Sequence, residues 1–191
     1  MIYSIQTKMS EFSIIIPTYN RSHFLSLAII SALRQKNVSM EIIVIDDCST
    51  DDTEVVVKSF NDKRINYIKN KERLGTSRNF QKCFMLASGN YIFTLGDDDF
   101  ILDEDTLFEV LKVMRRYKIG MGRIGAIGYE KSPKIPYQVT ILSNKLIVLK
   151  AKGDDSILLK SIDFGLGYYS GLIFDNQLID KEKLKMDHVC Y

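Results

Sequence analysis

Apolar and polar positions follow two rhythms along the first half of this chain. Short, nearly unbroken apolar runs recur as Phe12-Ser13-Ile14-Ile15-Ile16, Glu41-Ile42-Ile43-Val44-Ile45, Ile65-Asn66-Tyr67-Ile68 and Tyr91-Ile92-Phe93-Thr94-Leu95. Their length and β-branched content predict strands, and Pro17 stops the first of them. Between them the spacing turns helical. His23 to Gln35 sets Leu25, Ala28, Ile29, Ala32 and Leu33 on one face. Val55, Val56 and Phe60 mark a second helix, for which Ser49, Thr50 and Asp51 offer capping oxygens. Thr76 to Ala87 carries an apolar stripe of Phe80, Cys83, Phe84 and Ala87, with Gly89 placed as the residue that ends the helix. Asp103 to Tyr117 reads as a capped amphipathic helix facing the core through Leu107, Val110, Leu111 and Met114.

Strands that are apolar throughout, alternating with helices, imply an α/β fold whose mostly parallel sheet is covered on both faces. In such a sheet every strand ends at the same edge. Thr18-Tyr19-Asn20, Asp46-Asp47 and Asp97-Asp98-Asp99 therefore converge there, where open α/β sheets hold ligands. The acidic run is the sharpest of these features. Adjacent carboxylates repel one another in a partly desolvated crevice, and a hard divalent cation such as Mg²⁺ or Mn²⁺ relieves that repulsion while bridging to phosphates. A solvated acidic turn before the next helix, with Asp103 and Asp105 as caps, accounts for the same residues without a ligand. The second half is less regular. Apolar stretches at Ile124 to Tyr129, Val139 to Leu142 and Leu146 to Leu149 read as shorter strands, and Gly165 to Gly171 as a loop or bulged strand.

Composition narrows the function classes. The 191 residues suffice for one domain with a real core, and a formal net charge of +2 argues against a nucleic-acid partner. Lysines gather in the later half (Lys131, Lys134, Lys145, Lys150, Lys152, Lys160, Lys181, Lys183, Lys185), a face able to rest on anionic lipid or simply a solubilising surface. Cys48, Cys83 and Cys190 are odd in number and widely spaced, which fits a reducing compartment. Met1 to Ser10 has no apolar signal core, and no stretch approaches the ~18 continuous apolar residues of a membrane span. The expected location is the cytoplasm, peripheral to the inner face of the membrane if that lysine face is used.

Five blocks carry a resemblance: Ser13 to Arg21 (Ser-Ile-Ile-Ile-Pro-Thr-Tyr-Asn-Arg), Glu41 to Asp51, Gly75-Thr76-Ser77-Arg78-Asn79, Gly89-Asn90-Tyr91-Ile92 and Leu95 to Asp99. In order and spacing they resemble the family 2 glycosyltransferases, across roughly residues 11–115. The resemblance implies the GT-A fold, a Rossmann-like three-layer sandwich. It implies a domain over residues 11–191, with 11–100 binding a nucleotide-diphosphate sugar, 101–191 forming a partial acceptor-binding half, and 1–10 an extension.

The resemblance also implies roles. Tyr19 lies against the nucleotide base, as an aromatic face suits a flat ring, while Pro17, Thr18 and Asn20 shape that pocket. Asp47 reads the base, Asp46 braces the loop, and Cys48 is a bystander. Arg78 either neutralises the diphosphate or holds the acidic loop by an ion pair, the second being favoured. Asp97 contacts ribose or metal, and Asp98 and Asp99 are the metal and catalytic acids, Asp98 foremost. The family's Asp-x-Asp pattern begins one residue earlier, where this chain has Gly96, so the assignment can slip by one position.

The implied reaction is an inverting sugar transfer to a saccharide or lipid-linked acceptor, as in surface polysaccharide assembly. A carboxylate removes the acceptor proton while the metal stabilises the leaving diphosphate. Asp154, Asp155, Asp163, Asp175 and Asp187 are available as that base, yet none has the family's Glu-Asp context, which points to a shortened domain. Three other readings compete. A nucleotidyltransferase needs a glycine-rich loop after the first strand, which Pro17 to Arg21 lacks. A phospho-acceptor domain leaves the second acidic cluster unexplained. A non-catalytic nucleotide-sugar-binding module fits the missing base.

Overall fold

A computed structural model describes residues 9–124, 126–129, 136–140 and 170–184 of the chain. Strands β1 (Phe12–Thr18), β2 (Met40–Asp46), β3 (Ile65–Lys69) and β4 (Tyr91–Thr94) alternate with helices α1 (Ser22–Leu33), α2 (Thr53–Ser59) and α3 (Thr76–Leu86). After β4 come α4 (Thr106–Tyr117), β5 (Met121–Arg123), β6 (Ala126–Tyr129), β7 (Pro136–Thr140) and β8 (Leu172–Asp175). The main sheet has six strands in the order β3-β2-β1-β4-β8-β5, and β6 and β7 pair as a separate antiparallel ribbon.

The apolar runs alternate their faces as extended chain must. Ile14 and Ile16 of β1, with Ile42 and Val44 of β2, face Leu25, Ala28, Ile29 and Ala32 of α1 and Leu107, Leu111 and Met114 of α4. Ile15, Ile43 and Ile45 face the other way, into Phe80, Cys83 and Phe84 of α3. Two cores separated by one sheet give the three layers. This is the α/β sandwich that the alternation implies.

Gly89 corrects the sequence reading. It does not end α3, whose chain leaves the helix through an extended Ala87. A Cβ at position 89 would come within 2.6 Å of the backbone of Phe12 and Ser13, and its N–H donates to Ser13 Oγ at 2.7 Å. The glycine is there because β1 passes directly over it.

The pattern of the sequence assigns no element to β8, a strand whose four residues carry no periodic signal. It inserts between β4 and β5, antiparallel to both, in the register Phe93↔Ile173 and Gly122↔Ile173. Strands from both sides of residue 100 therefore build one sheet. Because β8 runs backwards, its N-terminal end, at Ser170 and Gly171, lies at the edge where β1, β2 and β4 finish. The N-terminal extension before Met9, the stretch Leu146 to Leu149 and the loop residues before Ser170 lie outside the described residues.

Candidate functional site

Parallel register sets the site. β1 lies between β2 and β4, so the turn after β1 faces both other polar turns. On the β2 side the backbone N–H of Asp47 donates to Thr18 O at 2.9 Å. Asn20, in the left-handed region at φ 51°, donates its N–H to Ser49 Oγ and accepts from the Thr50 N–H, both at 2.8 Å. Asn20 thus staples the two loops together. Pro17 lies within β1 opposite Ile45.

Asp46, which ends β2, and Asp47, which follows it, are both buried and do different things. Asp46 accepts from the Ser49 N–H at 2.7 Å and from the Tyr67 hydroxyl at 2.6 Å, bracing the loop. Burial and that bond to Asp46 push the Tyr67 phenol well above its ordinary pKa. Asp47 accepts from the N–H groups of Leu74 and Gly75 at 2.7 and 2.9 Å and from Asn70 Nδ2 at 3.0 Å. The β3–α3 connection is wrapped around this one carboxylate. Its next residue out, Arg73, lays its guanidinium 4.1 Å from the centre of the Tyr19 ring, a cation–π contact. Tyr19 and Asp47, the ring and the acid assigned to the base, are therefore tied to the same segment.

Asn70 and Asn79 extend this network. Asn70 Nδ2 also donates to Asn79 Oδ1 at 2.8 Å, Lys82 Nζ donates to Asn70 Oδ1 at 2.6 Å, and Asn79 Nδ2 reaches Ile45 O at 3.0 Å. Sequence reasoning missed Asn70 and Lys82. A lone asparagine after a strand is an ordinary turn residue, and only the fold brings Asp47 to it.

On the β4 side the acidic run folds back on itself. The Thr18 hydroxyl donates to Asp97 Oδ2 at 2.8 Å, and Arg21 Nη1 lies 3.2 Å from Asp97 Oδ1 and 2.7 Å from Asp98 Oδ2. Burial pushes the Asp97 carboxyl above the usual carboxylate range, against the pull of Thr18 and Arg21. Asp99 is raised for the same reason, partly offset by a hydrogen bond from the Ser170 hydroxyl. Ser170 Oγ in turn accepts the Gly96 N–H at 3.1 Å. A Cβ at position 96 would meet Asp99 Oδ2 at 2.7 Å and Asp98 Oδ1 at 3.1 Å. The acids curl into the space that Gly96 leaves, and the acid against Thr18 is Asp97.

The arginine at the acidic loop is Arg21, which corrects the reading favoured for Arg78. Arg78 is exposed on the first turn of α3, a helix that packs against β1 and β2. The residue next to it, Asn79, is the buried one. Arg21 directly follows β1, the sheet neighbour of β4, so its side chain meets the acids.

Asp175 is removed from the candidate bases. It ends β8 opposite Tyr91, the first residue of β4, and accepts the Gln177 N–H at 3.0 Å. It therefore sits at the far edge of the sheet, roughly 10 Å or more from the acidic run. Asp154, Asp155, Asp163 and Asp187 lie outside the described residues. Of the later lysines, Lys181 donates to Ala87 O at 2.6 Å and Lys183 pairs with Asp180, while the other seven lie outside the described residues. Among the described residues no helix is long and apolar enough to cross a membrane.

The donor set bears on a metal. Among the described residues no three acidic, histidine or cysteine side chains are placed to hold an ion by themselves. Asp97 and Asp98, however, direct one oxygen each at a single cationic nitrogen. Hard oxygens from one or two carboxylates, completed by substrate phosphates, are what Mg²⁺ or Mn²⁺ takes in phosphate chemistry. The residues fit such an ion.

Comparison with known proteins agrees with the architecture. Residues 13–174 match Glycosyl transferase family 2, and the chain belongs to that family. A GalNAc(5)-diNAcBac-PP-undecaprenol beta-1,3-glucosyltransferase of Campylobacter jejuni is 40% identical over 97 residues, covering 49% of this chain and 31% of that protein. Staphylococcus aureus TarS 1-349, solved in complex with UDP, superposes with a TM-score of 0.70 at 20% identity, over 90% of this chain and 48% of that one. The mannosyltransferase PcManGT of Pyrobaculum calidifontis, solved with GDP-Man and Mn²⁺, gives 0.54 at 21% identity, over 60% and 35%. The match spans about a third of the length of this and other curated relatives.

Proposed function

We propose that this chain binds a nucleotide-diphosphate sugar and transfers the sugar, with inversion, to an acceptor hydroxyl in cell-surface polysaccharide or glycolipid assembly. The observation that carries this reading is the meeting of Thr18, Arg21, Asp97 and Asp98 at the edge where Tyr19 and Asp47 also stand. Tyr19 offers its ring to the base, Asp47 orders the segment around the base, and Arg78 stands exposed for the diphosphate. Asp98, more open than Asp97, is the first metal ligand, with Asp97 held behind it by Thr18 and Asp99 completing the acidic set. A bound Mg²⁺ or Mn²⁺ supplies charge stabilisation at the leaving diphosphate. The acceptor oxygen attacks the anomeric carbon, the bond to the diphosphate breaks, and a carboxylate takes the acceptor proton. On this reading the protein works in the cytoplasm, peripheral to the membrane that presents a lipid-linked acceptor.

The test is donor hydrolysis and transfer with UDP-, GDP- and dTDP-linked sugars, with and without Mn²⁺. Turnover of one nucleotide class, stimulated by the metal, is expected. A second reading, a nucleotide-sugar-binding module without catalysis, is favoured by the position of Asp175 at the opposite edge. Tight nucleotide binding with no turnover of any donor would select it. In either case Tyr19→Ala is expected to weaken nucleoside diphosphate binding by about 1–2 kcal/mol, on the scale of aromatic packing. Calorimetry returning the wild-type affinity would remove Tyr19 from the base pocket.

A further inference from the structure

Arg21 holds the acid pair through one nitrogen. Nη1 is shared between Asp97 Oδ1 at 3.2 Å and Asp98 Oδ2 at 2.7 Å, so a single positive centre already bridges the two carboxylates. The two contacts differ in how firmly they are set. Asp97 has a side chain only 9% exposed, and its other oxygen is pinned by the Thr18 hydroxyl. Asp98 and Arg21 are 48% and 47% exposed, so their contact faces water and exchanges readily. The backbone of Arg21 is fixed by its carbonyl, which accepts the N–H groups of Phe24 and Leu25 at the start of α1. Only the side chain has freedom to leave.

We propose that Arg21 is a positioning residue that competes with the divalent ion for the Asp97–Asp98 pair and turns to the donor diphosphate when metal and nucleotide bind together. This rests on the metal-dependent reading above. Two cations cannot share this carboxylate pair at contact distance without strong mutual repulsion, so a metal either displaces the guanidinium or binds less tightly because of it. A guanidinium released beside a diphosphate finds the planar, bidentate partner it binds best. Arg21 thereby lowers metal affinity in the free protein and raises it once nucleotide is present, a positive coupling between the two ligands.

The experiment is a titration with Mn²⁺, free ion followed by its paramagnetic resonance signal, for wild type, Arg21→Gln and Arg21→Lys, each without and with UDP. Without UDP, Arg21→Gln is expected to bind Mn²⁺ about two- to fivefold more tightly than wild type, the scale of partly exposed ion pairs. Arg21→Lys, which keeps the charge, is expected to stay near wild type. UDP is expected to tighten Mn²⁺ binding more in wild type than in Arg21→Gln. A purely structural role for Arg21 predicts the opposite sign, weaker Mn²⁺ binding on its removal. Unchanged or weaker binding by Arg21→Gln overturns the proposal and leaves the metal reading standing. Failure of every form to bind Mn²⁺, even with UDP, overturns both.

Discussion

Asp98→Asn is expected to lower metal-stimulated donor turnover by about 10²–10³-fold, as loss of one strong electrostatic contact to a transition state does. The substitution keeps the size of the side chain and removes only its charge. Asp98 is half-exposed and accepts its described ion pair from a half-exposed arginine, so the fold loses little. Asp97→Asn would be a less discriminating variant, because Asp97 is buried and bonded to Thr18. Initial rates over a Mn²⁺ series, alongside thermal melting, separate chemistry from stability. An Asp98→Asn protein with wild-type rates moves the metal ligand to another residue.

The strands and their common edge are legible in the linear sequence because three of them, β1, β2 and β4, are buried on both faces. That demand leaves an apolar signature in Ile14 to Ile16, Ile42 to Ile45 and Ile92-Phe93 strong enough to read without the fold. Once the strands are parallel, convergence of Thr18, Asp47 and Asp97 follows from direction alone. What sequence could not give is which strand neighbours which. The pairing of Arg21 with the acids depends on β1 lying beside β4, and Arg78, closer in sequence to the acidic run, lies on a helix that begins elsewhere along the edge. The resemblance pointed to Arg78, and the fold brings Arg21 to the acids instead.

Ser170 and β8 were illegible for a related reason. Leu172 to Asp175 is too short to show a period, and its insertion between β4 and β5 reflects burial of Leu172, Ile173 and Phe174 against both cores. Only its reversed direction explains how a residue so far along the chain reaches Gly96 and Asp99. Gly89 misleads in another way. Glycine after a helix commonly signals a left-handed stop, but close approach of β1 selects the same residue, and the two causes look alike until the neighbouring backbone is placed.

Asp47→Ala is expected to cost about 3–5 kcal/mol of folding stability, since hydrogen bonds to a charged acceptor are worth about 1.5–3 kcal/mol each and water recovers part of the loss. Three donors lose their partner together: the N–H groups of Leu74 and Gly75, and Asn70 Nδ2. Gly75 is held at φ 81° in a segment that otherwise has no regular structure, so the carboxylate is what gives this connection its shape. Thermal melting should fall by roughly 10 °C for a chain of this size. Asp47→Asn keeps an acceptor oxygen for one or two of the donors but turns an amide N–H at the rest, and is expected to recover about half of the stability. Nucleotide affinity should fall in both variants, because Arg73, which packs on the Tyr19 ring, belongs to the same segment. A melting temperature unchanged by Asp47→Ala would show that the loop is held by other contacts. The carboxylate would then be free to serve the base alone.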